Sequence, residues 1–272
     1  MNARAVAAET AKTLAAAGLP DAAFDAEYLV RLAGGLSRAA FFAEAEFAGA
    51  AALAEMIGRR LRREPAAYIT GAREFFGRPF AVGPGVLVPR PETELLVELA
   101  LKEARRGDVI ADIGTGSGCI ALSVARCLPA GTAVRIVAVD ISAEALAVAV
   151  RNRRDLGASA ALLRGDLAFS LRRAEIVLAN LPYIPAHEID ALEPEVSRWE
   201  PRVALDGGPD GYTLIRRLIA DCADRLRPRV LALEVGFGQA GDVAAIARGR
   251  GASVSVRPDL SGIDRLVVAR WA

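Results

Sequence analysis

Several features are scarce in this chain of 272 residues, and each scarcity argues against a class of protein. His187 is the only histidine, and the three cysteines lack the spacing of metal ligands, so we expect no metal site. The cysteines are Cys119, Cys127 and Cys222. An odd, scattered set is typical of reduced thiols and indicates a cytoplasmic protein. No run of 18 uncharged apolar residues occurs, so we expect no membrane span.

The chain also lacks an excess of charge of either sign. It has 34 basic and 33 acidic residues, which gives a formal net charge of +1. Proteins that bind duplex nucleic acid usually have more basic than acidic residues, so we expect no direct nucleic-acid partner. Hydrophobic residues make up 53% of the chain and charged residues 25%, which is typical of a globular enzyme with a large core. A monomer is the simplest interpretation.

The pattern of apolar residues divides the chain into three parts. Residues 1–70 show helical spacing between glycine and proline stops, which predicts a small helical domain. Residues 71–90 predict a linking β-hairpin that turns at Gly77, followed by an extended segment. Residues 91–272 alternate strands with helices, beginning with a helix at Pro91. This alternation predicts a seven-stranded, mostly parallel sheet with helices on both faces. The last two strands are joined by a short loop, so we expect the last strand to be antiparallel.

A run of arginines ends the last predicted helix of the first part, Arg59-Arg60-Leu61-Arg62-Arg63. Positive charge suits the carboxyl end of a helix, which favours a solvated helix end. A docking patch for an acidic or RNA-containing partner is the alternative.

A glycine-rich turn follows the first strand of the alternating region. It consists of Gly114, Thr115, Gly116, Ser117 and Gly118. Glycines allow a positive φ and close approach of a ligand, and the free N–H groups of the following helix face that ligand. Asp140 ends the next strand, where a carboxylate can accept both hydroxyls of a ribose. The G-x-G-x-G spacing, with Asp112 before it, resembles the S-adenosylmethionine-binding fold more than the NAD-binding fold.

Asp166 and Leu167 follow the third strand. In the superfamily that the glycine turn resembles, the loop at this position closes over the adenine, with an acid near its amino group. Asp166 suits that role, and Leu167, or Phe169 two residues on, would cover the ring. A simple turn with a solvated Asp166 is the alternative interpretation.

Asn180-Leu181-Pro182-Tyr183 follows the fourth strand and suggests a site for a planar NH₂ group. An amide nitrogen is a poor nucleophile because its lone pair is delocalised, so orientation matters more than a strong base. The Asn180 side-chain oxygen can accept one N–H, and the Leu181 backbone carbonyl can accept the other. Pro182 fixes the backbone, and Tyr183 can stack on the substrate. Methyl transfer is then mainly a positioning problem, and both acceptors favour the growing positive charge.

Further motifs extend over nearly the whole chain, at residues 68–71, 74–77, 88–94, 112–118, 200–201 and 204–211. With these motifs the chain resembles the release-factor glutamine methyltransferases, bacterial enzymes that modify peptide chain release factors. The resemblance implies a Rossmann-like class I methyltransferase fold that binds S-adenosyl-L-methionine. It implies transfer of the methyl group to the side-chain amide nitrogen (N5) of the glutamine in the Gly-Gly-Gln motif. It also implies that the helical domain helps to seat the release factor.

The resemblance carries roles onto particular residues. The cofactor would be bound by Gly114, Thr115, Gly116, Ser117, Gly118, Asp140, Asp166, Leu167 and Asn180. The glutamine would be received by the catalytic and substrate-binding residues Asn180, Leu181, Pro182 and Tyr183.

One departure bears on the substrate. The family usually has Asn-Pro-Pro-Tyr, whereas Leu181 gives a form similar to that of ribosomal RNA adenine dimethylases. An adenine-N6 methyltransferase acting on RNA or DNA is therefore the alternative enzyme, and a cofactor-binding module without catalysis is a third hypothesis. For Glu234, at the end of a strand, we expect a structural hydrogen bond.

Overall fold

The computed structural model describes residues 1–129 and 131–271. The chain divides into two compact units. The first comprises Met1–Ala72 and Glu193–Trp199, and the second comprises Arg73–Leu192 and Glu200–Ala272. None of the helices in the described residues is both long and apolar enough to cross a membrane.

The first unit is built from helices. They are α1 (Ala3–Ala16), α2 (Ala22–Ala33), α3 (Arg38–Phe42), α4 (Ala50–Leu61), α5 (Ala66–Thr70) and, later in the chain, α9 (Pro194–Ser197). The Asn2 side chain accepts a hydrogen bond from Ala5 N and caps α1, and the Ser37 side chain accepts one from Ala40 N and caps α3. Leu29 and Phe41 are among the apolar side chains buried between these helices.

One residue of the arginine run at the end of α4 lies in the interior of this unit. Arg60 is only 5% exposed. Its Nε atom donates to Asp25 Oδ2 at 2.6 Å, and its Nη1 atom donates to Glu195 Oε1 at 2.8 Å. The cluster Asp25–Arg60–Glu195 therefore joins α2, α4 and α9 through paired charges.

Two neighbouring arginines are paired as well. Arg59 binds the Glu64 carboxylate, and Arg63 donates from Nε to Glu195 Oε2 at 3.1 Å. Arg62 is exposed. The solvated helix end is therefore wrong for Arg60, whereas Arg59 and Arg63 are only partly buried, and the alternative of a docking patch stays a prediction. The spacing of the charges was visible in the sequence, but their carboxylate partners were not.

The second unit contains a hairpin formed by β1 (Ala72–Phe75) and β2 (Arg78–Ala81). Phe76 and Gly77 have φ values of 50° and 69°, as a two-residue turn of type I′ requires. The Glu94 side chain accepts a hydrogen bond of 2.7 Å from Phe76 N and holds the turn. The predicted hairpin that turns at Gly77 is confirmed.

A seven-stranded sheet forms the centre of the second unit. Its strands are β3 (Val109–Ile113), β4 (Arg135–Asp140), β5 (Ala161–Arg164), β6 (Ile176–Ala179), β7 (Val230–Glu234), β8 (Ser253–Pro258) and β9 (Asp264–Arg270). They lie in the order β5-β4-β3-β6-β7-β9-β8. Only β9 is antiparallel to its neighbours among these strands, so the predicted sheet is confirmed.

Among the described residues of this unit, one α-helix precedes the first strand of the sheet, and four others lie in sequence between its strands. They are α6 (Glu94–Glu103), α7 (Cys119–Cys127), α8 (Ala143–Asp155), α10 (Thr213–Asp221) and α11 (Ala240–Arg248). The central strands β3, β6 and β7 are buried along their whole length, between two apolar clusters. Such burial on both faces explains why their sequences are continuous apolar runs rather than alternating ones.

The register of the parallel strands brings three sequence motifs to one edge of the sheet. Ile113, at the end of β3, pairs with Val139 of β4 and with Ala179 of β6. The residues that follow these positions are the glycine turn, Asp140 and Asn180. They meet because the carboxyl ends of parallel strands lie together.

The helix α10 begins only at Thr213, because Gly208 and Gly211 before it have positive φ angles that a helix excludes. It continues past Asp221 as a π-helical turn to Leu226. The short helices α5 and α9 lack a full amphipathic repeat and were not predicted.

Candidate active site

The buried carboxyl group of Asp112 holds the glycine turn in place. Asp112 Oδ2 accepts hydrogen bonds from Thr115 Oγ1 at 2.6 Å and from Ala121 N at 3.1 Å. Burial raises the pKa of Asp112 to about 7. Gly114, Gly116 and Gly118 all have positive φ angles (74°, 55° and 83°). The acid and Thr115 thus fix a backbone shape that only glycines adopt without strain.

Asp140 ties the glycine turn to the loop after β4. Its Oδ2 atom accepts from Gly116 N, and its Oδ1 atom accepts from Ser142 N, both at 2.8 Å. A carboxylate oxygen has more than one acceptor site, so both atoms can still accept from a ligand. Asp140 therefore organises the two loops and remains available to ligand hydroxyls.

A cavity of about 510 Å³ lies at this edge of the sheet. Eight of the predicted site residues line it: Gly114, Gly116, Asp140, Asp166, Leu167, Asn180, Leu181 and Pro182. Four others are absent from its lining: Thr115, Ser117, Gly118 and Tyr183. The structure therefore brings most of the predicted site together, while Thr115 and Gly118 support the turn from behind.

The loop after β5 contributes one wall. Leu167 is buried, with a φ of 48°, and lines the cavity. Phe169, the other residue considered for the adenine, is 81% exposed and is absent from the lining. Asp166 lies at the cavity but is ion-paired, because Arg217 donates to its Oδ2 atom at 2.6 Å.

The Asn180 side chain is held by a residue distant in sequence. Asn180 Nδ2 donates to Thr93 Oγ1 at 3.0 Å, and Thr93 is buried. With the amide nitrogen engaged in this bond, the amide oxygen is the atom that remains for a ligand in the cavity.

The next residues of the motif are packed in different ways. Leu181 is 3% exposed, and its Cδ2 atom would lie 3.2 Å from a Cβ placed on Gly114, so it packs on the glycine turn. Tyr183 is partly buried, and its backbone carbonyl accepts from Gln239 Nε2 at 2.8 Å. Burial raises the pKa of the Tyr183 hydroxyl to about 12, so this side chain is neutral at physiological pH.

Glu234 stands behind Thr93. Its carboxyl group is buried, and the Thr93 side chain opposes part of the pKa shift that burial causes, while the structural hydrogen bond expected for Glu234 stays a prediction. Burial raises the pKa of Glu234 to about 7, and the Glu92 charge adds to the effect. The Oε2 atom is buried and has no hydrogen-bond partner within residues 1–129 and 131–271.

Two motifs of the sequence analysis meet in an ion pair. Arg90 Nη2 donates to both carboxylate oxygens of Glu200 at 2.9 Å. Burial nevertheless raises the pKa of Glu200. The pair joins the Pro-Arg-Pro-Glu segment to the loop that continues into Arg202–Ala204, which lines the cavity.

Sequence reasoning missed several residues of the cavity. Ile141 and Ser142 line it beside Asp140, and so do residues 85–87 and 202–204. The position of Ile141, next to the acid at the end of β4, was a usable signal. The two loop segments carry no periodic pattern that would place them there.

Two family descriptions match the chain. Residues 6–71 match the PrmC N-terminal domain, and residues 91–194 match the methyltransferase small domain. Among solved structures, a methyltransferase from Pyrococcus furiosus aligns with a TM-score of 0.56 at 18% identity, covering 78% of this chain and 98% of that chain. A 16S rRNA N2 G1207 methyltransferase from T. thermophilus, solved with AdoMet and guanosine, aligns with a TM-score of 0.52 at 19% identity, covering 74% and 50%. Identities this low show the fold alone. The fold and the site define a class I S-adenosylmethionine-dependent methyltransferase.

Curated relatives narrow the class to a family. A release factor glutamine methyltransferase from Moorella thermoacetica is 43% identical over 282 residues, which cover 99% of this chain and 98% of that protein. One from Geobacter sulfurreducens is 38% identical over 265 residues, covering 94% and 92%. The chain belongs to the release factor glutamine methyltransferase family.

Proposed function

We propose that this protein transfers a methyl group from S-adenosylmethionine to the side-chain amide nitrogen of the glutamine in the Gly-Gly-Gln motif of a peptide chain release factor. The observation that carries the proposal is the placement of Asn180. It lines the same cavity as Gly116 and Asp140, and its hydrogen bond to Thr93 leaves the amide oxygen for a substrate N–H. Membership of the family supplies the substrate class.

The cavity fits the cofactor at one end. Its volume suits a small-molecule ligand, and a Cβ placed on Gly116 would meet no atom within 4 Å, so the turn leaves room for close approach. We assign Asp140 to the ribose hydroxyls, Asp166 and Leu167 to the adenine, and Gly114–Gly118 with Asn180 to the remainder. Bound S-adenosylmethionine supplies a methyl group on a positively charged sulfur.

The other end would receive the glutamine side chain. Asn180 Oδ1 accepts one N–H of the amide and the Leu181 carbonyl accepts the other, which fixes the orientation of the nitrogen. Because this acceptor is a backbone atom, Leu181 preserves it, and its buried side chain anchors the motif on Gly114. Pro182 limits the backbone, and Tyr183 is assigned to the planar substrate. The two oxygens also stabilise the positive charge that develops on the nitrogen as its bond to the methyl carbon forms and the carbon–sulfur bond breaks, and the nitrogen then loses one proton to water.

We assign a role to each part of the chain. Residues 1–70 form a helical domain that recognises the release factor, residues 71–90 link it, and residues 91–272 bind the cofactor and carry the chemistry. A release factor is a cytoplasmic protein, so we place the reaction in the cytoplasm. We propose that a monomer acts on this protein partner, with no direct role for nucleic acid or membrane.

Mass spectrometry tests the substrate and the atom together. The protein is incubated with labelled S-adenosylmethionine and either a release factor or RNA. We expect a mass gain of one methyl group on the Gly-Gly-Gln glutamine. Label found only in RNA would reject the proposal in favour of the adenine-N6 alternative, whose planar NH₂ group suits the same acceptors.

The variant Asn180→Ala tests the mechanism. Without the amide oxygen the substrate nitrogen loses its main orienting contact, so we expect transfer to be abolished while cofactor binding is largely retained. Calorimetry with the cofactor and methylation of the release factor separate the two effects. Unchanged turnover would contradict the mechanism, and cofactor binding with no turnover in the parent protein would favour a binding module.

A further inference from the structure

Three side chains from separate parts of the second unit form a line behind the cavity. Asn180 follows β6, Thr93 precedes α6, and Glu234 ends β7. Asn180 Nδ2 donates to Thr93 Oγ1 at 3.0 Å, and the Thr93 side chain lies close enough to the buried Glu234 carboxyl group to lower its pKa. Thr93 and Glu234 are both buried, so water does not replace either contact.

The Glu234 carboxyl group determines which atoms donate and which accept between these three side chains. A threonine hydroxyl can donate or accept, so alone it would suit either end of the Asn180 amide. An ionised carboxylate can only accept. Above its pKa of about 7, where the carboxyl group is ionised, Glu234 takes the single hydroxyl proton of Thr93, and Thr93 Oγ1 is left to accept from Asn180 Nδ2, which is the bond that the structure contains.

We propose that Thr93 and Glu234 are positioning residues that hold the Asn180 side chain with its Oδ1 atom toward the substrate. The proposal rests on the proposed function for its purpose, but the orientation itself is a property of the unliganded protein. Neither residue touches the substrate in this scheme, since both act through Asn180.

The need for such a device follows from the amide group itself. Its terminal torsion is broad and roughly two-fold, so the two ends of the amide interchange at little cost. A reversed Asn180 would place its own N–H groups against the N–H of the substrate, where neither can accept. Glu234 also keeps a buried Oε2 atom without a partner, an arrangement that destabilises the fold. A carboxyl group that only supported the fold would be better replaced by an apolar residue.

Nuclear magnetic resonance tests the orientation without any substrate. The side-chain amide signal of Asn180 is assigned by its loss in Asn180→Ala. We expect its protons to exchange slowly with solvent in the parent protein and in Thr93→Ser, and faster in Thr93→Val. Ser123→Ala, which removes a buried hydroxyl from α7, is the matched control and should leave this signal unchanged.

Kinetics tests the consequence. We expect Thr93→Val to lower kcat for release-factor methylation by about 10²-fold, the effect of a misplaced contact, with cofactor affinity unchanged. Thr93→Ser should restore most of the rate, because it keeps the hydroxyl. Glu234→Gln, whose amide can also donate to Thr93, should lie between them.

The outcomes separate this inference from the proposed function. If the parent protein does not methylate a release factor, the proposed function fails, and the resonance experiment still decides the orientation. If Thr93→Val keeps the parent kcat, or if Thr93→Ser is as slow as Thr93→Val, the inference is overturned. Unchanged exchange of the Asn180 amide in both Thr93→Val and Glu234→Gln would also overturn it. Should Thr93→Val fail to fold, Glu234→Gln carries the same test.

Discussion

The two units each contain a buried polar cluster, and the clusters differ in how completely they are satisfied. In the first unit, Asp25–Arg60–Glu195 sets one guanidinium between two carboxylates, at 2.6 and 2.8 Å. In the second, the Asn180–Thr93–Glu234 line leaves an amide oxygen for a ligand and a carboxyl oxygen without a partner. A cluster that serves the fold uses its hydrogen bonds within the protein, whereas one that serves a reaction keeps some for the substrate.

The pKa values of the carboxyl groups in the two clusters are also shifted differently. Burial raises the pKa of Glu195 and the hydrogen bond from Arg60 lowers it, with a net lowering once the charges of Arg60 and Arg63 are added. For Glu234, burial raises the pKa to about 7, and the Thr93 hydrogen bond offsets only part of this effect. Arg60 and Arg63 thus outweigh burial at Glu195, whereas burial outweighs the Arg60 partner at the more deeply buried Asp25 and outweighs the Thr93 hydroxyl at Glu234.

The largest effect is expected from breaking the satisfied cluster. Arg60→Met leaves the buried Asp25 carboxylate without its partner and leaves the partly buried Glu195 with Arg63 alone, so we expect the free energy of unfolding to fall by about 3–5 kcal/mol. Urea denaturation followed by circular dichroism measures it. Arg62→Met, two residues on at an exposed site, is the matched control and should change stability by less than about 0.5 kcal/mol. Equal effects of the two variants would show that the cluster does not stabilise the unit.

Glu234 should make the stability of the folded protein depend on pH. Its pKa is about 7 in the folded protein against 4.5 for an ordinary glutamate, so the folded state binds more protons between these values. Stability should therefore fall as pH rises from about 4.5 to about 7, by about 3 kcal/mol from this group. Glu234→Gln should remove that part of the slope, measured by urea denaturation at pH 5 and pH 8.

Asp112 gives a second contribution of the same sign, since its pKa is also raised to about 7. The slope in Glu234→Gln should therefore be reduced but not abolished. A variant that loses as much stability between pH 5 and pH 8 as the parent protein would show that Glu234 is ionised throughout. The contrast between the two clusters would then not extend to protonation.

The sequence predicted which motifs form the site better than it predicted the long-range contacts that hold them in place. The glycine turn, Asp140 and Asn180 each follow an apolar run, and the rule that parallel strands end at one edge was enough to bring them together. Asn180 and Thr93 are 87 residues apart, and Arg60 and Glu195 are 135 apart. A single sequence shows that these side chains are polar, but it contains no signal for which of them meet.

Local geometry was predictable where glycine or proline determines it. The turn at Phe76 and Gly77 and the helix start at Pro91 follow from backbone preferences alone. The wall formed by residues 85–87 and 202–204 was not predictable, because its position depends on long-range contacts such as the Arg90–Glu200 ion pair.

The smallest effect is expected at Asp166, which lines the cavity and combines features of a structural carboxylate and of a ligand-binding one. It is paired with Arg217, like a structural carboxylate, yet it lines the cavity, like a ligand-binding one. Exposed ion pairs contribute at most about 1 kcal/mol, so neither Asp166→Asn nor Arg217→Gln should change stability much.

The two variants should differ in their affinity for the cofactor, which calorimetry measures. Asp166→Asn removes an acceptor for the adenine amino group and should weaken binding several-fold. Arg217→Gln removes a competitor for the same carboxylate, so it should leave binding unchanged or tighten it. If both variants weaken binding equally, the ion pair itself contacts the cofactor, and Asp166 belongs with the satisfied clusters.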